Sequence, residues 1–421
     1  MMVMVKKFPK DKGLDHTVDL IREGYLFIEN RADYYATDIF QTRLMGKKVV
    51  CMTGAVCAKM FYNPRLFERK NVMPRRVKET LIGKGGVQGL DGKAHEERKA
   101  FFIHLVNEKQ EEELIRLATK IWEKTIKTWP DKKEIILFDE AKKVLCQAAC
   151  EWVGIPDLLP AKQVKKAADA LEAMIFGFGR IGVTHWKGRI SRNQLESSLK
   201  DTIEGIRNDR VTVKSGTILE EISHYRDEKG NLLESEVAAV ELLNLIRPIV
   251  AVAVYITFAA VALYENPAYK VKIALDDDEG EKVRFNEEVR RYYPFAPFIG
   301  AKVKKNFIWR NYAFKRGTLV LLDLYGTNHD KRLWKDPFTF NPERYKKERK
   351  SAYNFMPQGG GSTKGHRCVG EHITLAMMNV ALDVLTKKIS YELPPQDLSY
   401  SISTIPTIIR SGVIMKNIKE I

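Results

Sequence analysis

From Pro248 to Tyr264 the chain runs without a charged side chain, held between Arg247 and Glu265. A stretch this apolar has two physical destinations, the hydrocarbon of a bilayer or the centre of a large protein core. A bilayer span needs about 20 apolar residues, and the two flanking charges crowd this one. The sequence therefore predicts a helix buried on all sides, with no transmembrane segment. The chain is long enough to wrap such a helix, with 421 residues of which 44% are hydrophobic.

Around that element, residues 108–128, 137–153, 161–176, 191–208 and 234–264 place apolar side chains every three or four positions with Lys and Glu between them, which predicts long amphipathic helices. Short β-branched or aromatic runs at 47–52, 318–323 and 411–416 predict strands towards the two ends of the chain. No repeat or Gly/Pro-rich linker divides the sequence. The expected fold is mainly α with a small β portion, in one domain spanning residues 1–421.

Seventy Lys and Arg against 54 Asp and Glu give a net charge of +16. Charge of that sign raises nucleic acid as a partner, but the basic residues are scattered through the helices, with no basic tail and no zinc-finger or RNA-binding signature, so no nucleic acid is expected. Five cysteines (Cys51, Cys57, Cys146, Cys150 and Cys368) form no CxxC pair and are too few for a disulfide framework. Cys146 and Cys150 lie one helical turn apart without a second ligand pair nearby, which reads as core thiols. The N-terminus, MMVMVKKFPKDKG, lacks the pattern of a signal peptide. A cytoplasmic protein is the expectation.

The most informative segment is 355–371, FMPQGGGSTKGHRCVGE, where three glycines lead to Cys368 and Gly370 opens an amphipathic stretch. A thiolate at a helix N-terminus is favoured by the helix dipole and backbone N–H groups, as an anionic iron ligand requires. The flanking glycines let a flat cofactor approach the backbone closely. Upstream, Glu288 and Arg291 stand at i and i+3 and face one side of a helix. Arg344, in Asn341-Pro342-Glu343-Arg344-Tyr345, is a candidate to join them in a buried network.

These three elements, in this order, resemble the cytochrome P-450 superfamily: the E-x-x-R helix, the P-E-R loop and the cysteine loop with C-x-G. The resemblance spans essentially the whole chain. It implies a single triangular-prism-like domain that binds haem b, with Cys368 as the thiolate axial ligand of the iron. The usual loop reads F-x-x-G-x-R-x-C-x-G, whereas here Gly361 stands for Phe, Lys364 for Gly and His366 for Arg.

A second departure lies in the central helix. Typical oxygen-activating members carry an acid–alcohol pair there for proton delivery, and this chain offers Asn244-Leu245-Ile246-Arg247-Pro248-Ile249-Val250-Ala251, with Thr257 placed between Ile256 and Phe258. An oxidant that already contains a reduced O–O bond, hydrogen peroxide, fits this helix better, and its heterolysis still needs a general acid–base. A guanidinium in an apolar helix is expensive to bury unpaired. Arg247 would hold a substrate carboxylate by a charge-assisted contact, so that the substrate brings the acid–base. An internal ion pair is the competing reading.

Arg247-Pro248, the P-Q-G-G-G run before H-R-C and R-R-Y-Y-P-F-x-P-F together resemble the fatty-acid peroxygenase branch of the superfamily. That resemblance implies peroxide-dependent hydroxylation of long-chain fatty acids at the alpha or beta carbon without an obligatory reductase, and decarboxylation to terminal alkenes in some members. A reductase-dependent monooxygenase and a haem protein that binds ligand without turnover are the remaining alternatives. Pro248 frees a backbone carbonyl one turn earlier and distorts the helix locally. In GKGGVQGLDG at 83–92, Gln88 occupies the position where alkene-forming members often carry His, so the resemblance favours hydroxylation.

For the haem propionates the resemblance offers His95 and Arg98, with Arg69 and His366 as further candidates. For the substrate tail it offers Leu81, Ile82, Phe178, Ile181, Val183, Phe295 and Phe298, each of which also suits an ordinary core.

Overall fold

The computed structural model describes residues 5–155, 161–276 and 280–421; Met1 to Met4 of the N-terminal stretch lie outside them. The principal helices are α1 (Gly92–Leu105), α2 (Glu108–Ile126), α3 (Leu137–Val153), α4 (Ala161–Gly177), α5 (Val183–Arg207), α6 (Ser235–Glu265), α7 (Gly280–Tyr292) and α8 (Glu371–Asp383). The uncharged stretch is the C-terminal half of α6. By composition α6 is apolar enough to cross a membrane, but 89% of its most apolar window is buried inside the protein. It packs against α3, α5 and α8, so the apolar stripes of the amphipathic helices close around it.

The β portion is a five-stranded sheet built from β1 (Ile39–Leu44), β2 (Lys47–Met52), β3 (Phe67–Glu68), β4 (Phe298–Val303) and β5 (Leu319–Asp323), in the order β1-β2-β5-β4-β3. β2 runs parallel to β5, with Val49 opposite Leu319, which ties the two ends of the chain together. A smaller sheet joins Ile135–Ile136, Ile414–Glu420 and Ile389–Glu392.

Two boundaries differ from the sequence reading. The expected strand at 411–416 starts only at Ile414, because Gly412 and Val413 take left-handed φ values of 66° and 65° and their carbonyls accept from the Phe138 and Leu137 N–H groups. The helix expected from 191 begins at Val183, after Gly182 at φ 77°. Val183, Trp186 and Ile190 already stand at helical spacing in these first two turns, so the expected start fell about two turns too late.

Candidate active site

Glu288 and Arg291 on α7 are both fully buried. The Arg291 guanidinium donates to both carboxylate oxygens (2.8 and 2.9 Å), Arg344 Nε donates to Glu288 Oε1 (3.1 Å), and the Tyr345 hydroxyl donates to Oε2 (3.2 Å). Arg344 spans to the Lys335, Asp336 and Thr339 carbonyls. Two cations on one carboxylate with every polar atom engaged form a satisfied buried network that pins α7 to the loop before the cysteine segment.

The cysteine loop is fixed from the sheet side. The Gly360 N–H donates to the Tyr62 hydroxyl (2.7 Å), and a Cβ at Gly361 would meet the Tyr62 ring at 3.0 Å. Gly361, at φ 77°, replaces the usual Phe because Tyr62 already fills that space. At the other end, the buried Lys99 donates to the Arg367 carbonyl (2.6 Å), and Arg367 and Arg290 grip Glu371 in the first turn of α8. Sequence reasoning missed Lys99, although it lies one turn beyond His95 on α1, on the same face.

Of the five cysteines, Cys368 alone keeps accessible surface, and the other four are buried. Yet desolvation is what most raises the Cys368 thiol, with the Gly370 N–H opposing. Arg247 behaves in the same way: it is accessible in part, while desolvation draws its guanidinium down to about 9. The two groups also feel one another, since the Cys368 sulfur opposes the fall of the Arg247 guanidinium. The Arg247 Nε is buried without a hydrogen-bond partner. No acidic side chain among the described residues pairs with it, so the internal ion pair that competed for Arg247 is not formed.

The donor set suits a haem. Beside the cysteine loop, the His95 and His366 rings lie 4.0 Å apart, and burial holds them neutral, at about 4 and about 2. Next to them the buried Arg69 donates to the Gly300 carbonyl (2.6 Å), while its own backbone N–H is held by Asp91. Neutral imidazoles and a cation without a carboxylate partner are what anionic propionates would meet. Arg98, the other propionate candidate, pairs through Nη1 with Glu241 (2.8 Å), a carboxylate buried on α6 that requires a cation, and keeps a buried Nε without a partner.

Glu241 also accepts from the Val87 N–H (2.9 Å) and the Asn244 amide (3.3 Å), and that same amide donates to Gln88 Oε1 (3.3 Å). Asn244 is one turn before Arg247 on α6, so Gln88 is held one helical turn from Arg247 through a residue the sequence reading passed over. Pro248 stands inside α6, where it leaves the Asn244 carbonyl without its helical donor. Thr257 is buried and donates to the Val254 carbonyl (2.8 Å), so its hydroxyl is already committed. Arg192 on α5 is a second buried guanidinium nearby, donating to the Leu81 carbonyl (2.6 Å) and paired with Glu196 (2.7 Å) on its own helix.

A profile of the family described as Cytochrome P450 matches residues 285–409. Over the whole length, the solved structure of cytochrome P450EX alpha (CYP152N1) with myristic acid is 41% identical, covers 99% of this chain and 100% of that one, and superposes with a TM-score of 0.94. The chain belongs to the cytochrome P450 family. It falls in the fatty-acid peroxygenase branch, with the haem-thiolate cofactor of that family. A variant of cytochrome P450 OleT in complex with arachidonic acid is 33% identical at a TM-score of 0.95, covering 99% of both chains. Beta-amyrin 28-monooxygenase of Kalopanax septemlobus is 24% identical over 416 residues, 90% of this chain and 84% of its own.

The substrate-channel expectations for this P450 divide. Ile82 is buried, Leu81 is tied to Arg192, and Phe295 stacks on Tyr255 of α6 at 4.4 Å. Phe178 is half-buried at the turn after α4. Phe298, on β4, packs on a cluster with Phe27 and Phe40 that is separate from the helical core. Ile181 and Val183 are corrections: they are 73% and 84% exposed, because Gly182 turns the chain outward before α5 begins.

Proposed function

We propose that this P450 uses hydrogen peroxide to hydroxylate long-chain fatty acids at the alpha or beta carbon, in the cytoplasm and without an obligatory reductase. The observation that carries this reading is the Arg247 guanidinium on the apolar helix α6, whose Nε is buried without a hydrogen-bond partner and which no acidic side chain among the described residues pairs. Haem bound through the Cys368 thiolate supplies the oxidising chemistry. Arg247 binds the substrate carboxylate, the charge that would complete its buried Nε. One carboxylate oxygen is then free to take a proton from peroxide and return it to the departing hydroxyl, so that a C–H bond and peroxide become an alcohol and water.

Of the polar groups on α6, Thr257 is bonded within its own helix and Glu241 is held by Arg98, Val87 and Asn244. Anchoring the headgroup fixes which carbon lies nearest the metal, and that restricts attack to the first two carbons of the chain. His95, His366 and Arg69 bind the propionates. Gln88, with its amide oxygen held by Asn244, orients but does not accept a proton, which favours hydroxylation over decarboxylation. Five unbridged cysteines suit a reducing compartment.

The test is product identification by mass spectrometry after peroxide is added to purified holoenzyme with a long-chain acid. Alpha- or beta-hydroxy acids are the expected products, terminal alkenes would give the decarboxylase reading, and turnover that needs an electron donor and ignores Arg247→Ala would overturn the proposal.

A further inference from the structure

Ile181 and Val183 belong to a surface that the fatty-acid site leaves unexplained. Val183, Trp186, Lys187 and Ile190 stand at i, i+3, i+4 and i+7, so they share one face of α5. Trp186 is 57% exposed and Ile190 54%. Exposures this high describe side chains that protrude rather than walls of a groove.

The segment Arg75–Ile82 packs beside this face. Arg76 donates to the Arg180 carbonyl, Glu79 pairs with Arg189 (3.0 Å), and the Thr80 hydroxyl reaches His185 (3.5 Å). From Met73 to Lys84 the chain carries Arg75, Arg76, Lys78 and Lys84 against the single acid Glu79. From Gly177 to Leu195 it carries Arg180, Lys187 and Arg189 towards the surface and no acid, while Arg192 is buried against Glu196 and adds nothing outward. Glu79 is itself surrounded by Arg75, Lys84 and Arg189, so the outward charge of the patch is strongly positive. Met73 adds another exposed apolar side chain at its edge.

We propose that this face docks the enzyme onto an anionic lipid surface. Protruding apolar residues with a tryptophan among them suit insertion at the boundary of headgroups and acyl chains, and cations around them suit anionic headgroups, with Lys and Arg stems lying along the apolar phase. A shaped protein partner would call for a groove or a flat apolar area, which protruding side chains do not supply. The segment behind the patch continues inward: Gly83 packs on Val240 of α6, and Gln88 follows beside Asn244. A lipid surface held here therefore adjoins the polypeptide that leads to the site, so an acyl chain need cross little water. The docking is a property of the surface and does not depend on the reaction assigned above.

The experiment is sedimentation of the holoenzyme with vesicles, without peroxide. Vesicles of phosphatidylcholine mixed with phosphatidylglycerol retain the protein, those of phosphatidylcholine alone do not, and retention fades as salt is raised, since the patch acts within about 10 Å at 0.1 M. Trp186→Ser combined with Ile190→Ser lowers partitioning by about tenfold or more. Lys187→Glu also lowers it. Both variants keep the wild-type melting temperature and peroxide-driven turnover of dissolved fatty acid, which separates lost docking from misfolding. Absence of retention by anionic vesicles, retention insensitive to these substitutions, or retention of an acidic protein while vesicles are ignored would each overturn the proposal.

Discussion

Replacing Arg247 with Leu separates a binding role from a structural one, because the two predict opposite signs. Without substrate the guanidinium is desolvated, sits in the field of Arg192 and has an unpaired Nε. Its fall from 12.5 to about 9 sets an upper bound of about 5 kcal/mol on the cost of keeping it charged at neutral pH. Arg247 retains some accessible surface, so water there relieves much of this, and a gain of about 1–4 kcal/mol is expected for Arg247→Leu. For a chain of this length that raises Tm by about 1–4 °C. Fatty-acid affinity moves the other way, because removing one partner of a buried, hydrogen-bonded charge pair costs about 2–5 kcal/mol, roughly 30-fold to several-thousand-fold in Kd. Calorimetry of the fatty-acid-free protein and titration of the haem spectrum with a long-chain acid read the two effects separately. If Tm falls while Kd stays within about twofold, Arg247 is a structural residue and the headgroup binds elsewhere.

Glu288→Gln leaves the buried Arg291 without a carboxylate and Arg344 with only the longer contact to Glu348 (3.5 Å), and should lose about 3–5 kcal/mol, seen as a lower melting temperature and reduced haem retention. His329 is buried and held at about 3, chiefly by desolvation. The unfolded chain takes up a proton below about 6.5 that the folded chain refuses, so stability falls as pH drops from there towards 3, by about 2–3 kcal/mol at pH 4.5, and His329→Phe should flatten that part of the denaturation profile. Gln88→His puts a titratable group beside Asn244 and should raise the share of terminal alkene in the product mixture analysed by mass spectrometry. Asn244→Ala removes the grip on the Gln88 amide and should change the ratio of alpha to beta product with little change in Tm.

The sequence by itself determined the buried central helix, the order of the long helices, the Glu288–Arg291–Arg344 network and the cysteine loop. Most of these depend on residues close in the chain: an uncharged stretch too short for a bilayer and flanked by charges belongs in the interior, and Glu288 and Arg291 meet one helical turn apart, with Arg344 as a candidate partner. It also marked Arg247, since a lone cation in an apolar helix demands a partner. What only the tertiary structure decided was pairing across distance. Arg98 lies one turn beyond His95 on α1, as a propionate partner would, and it went to Glu241 because α1 and α6 bring a buried carboxylate to it from far along the chain. Asn244 acquired meaning through the approach of Gln88, and Gly361 through the ring of Tyr62. Ile181 and Val183 have the composition of a channel wall, but a left-handed glycine between them turned both to the outside. Apolar character predicts that a side chain seeks a surface to cover, and the direction of the backbone decides which one.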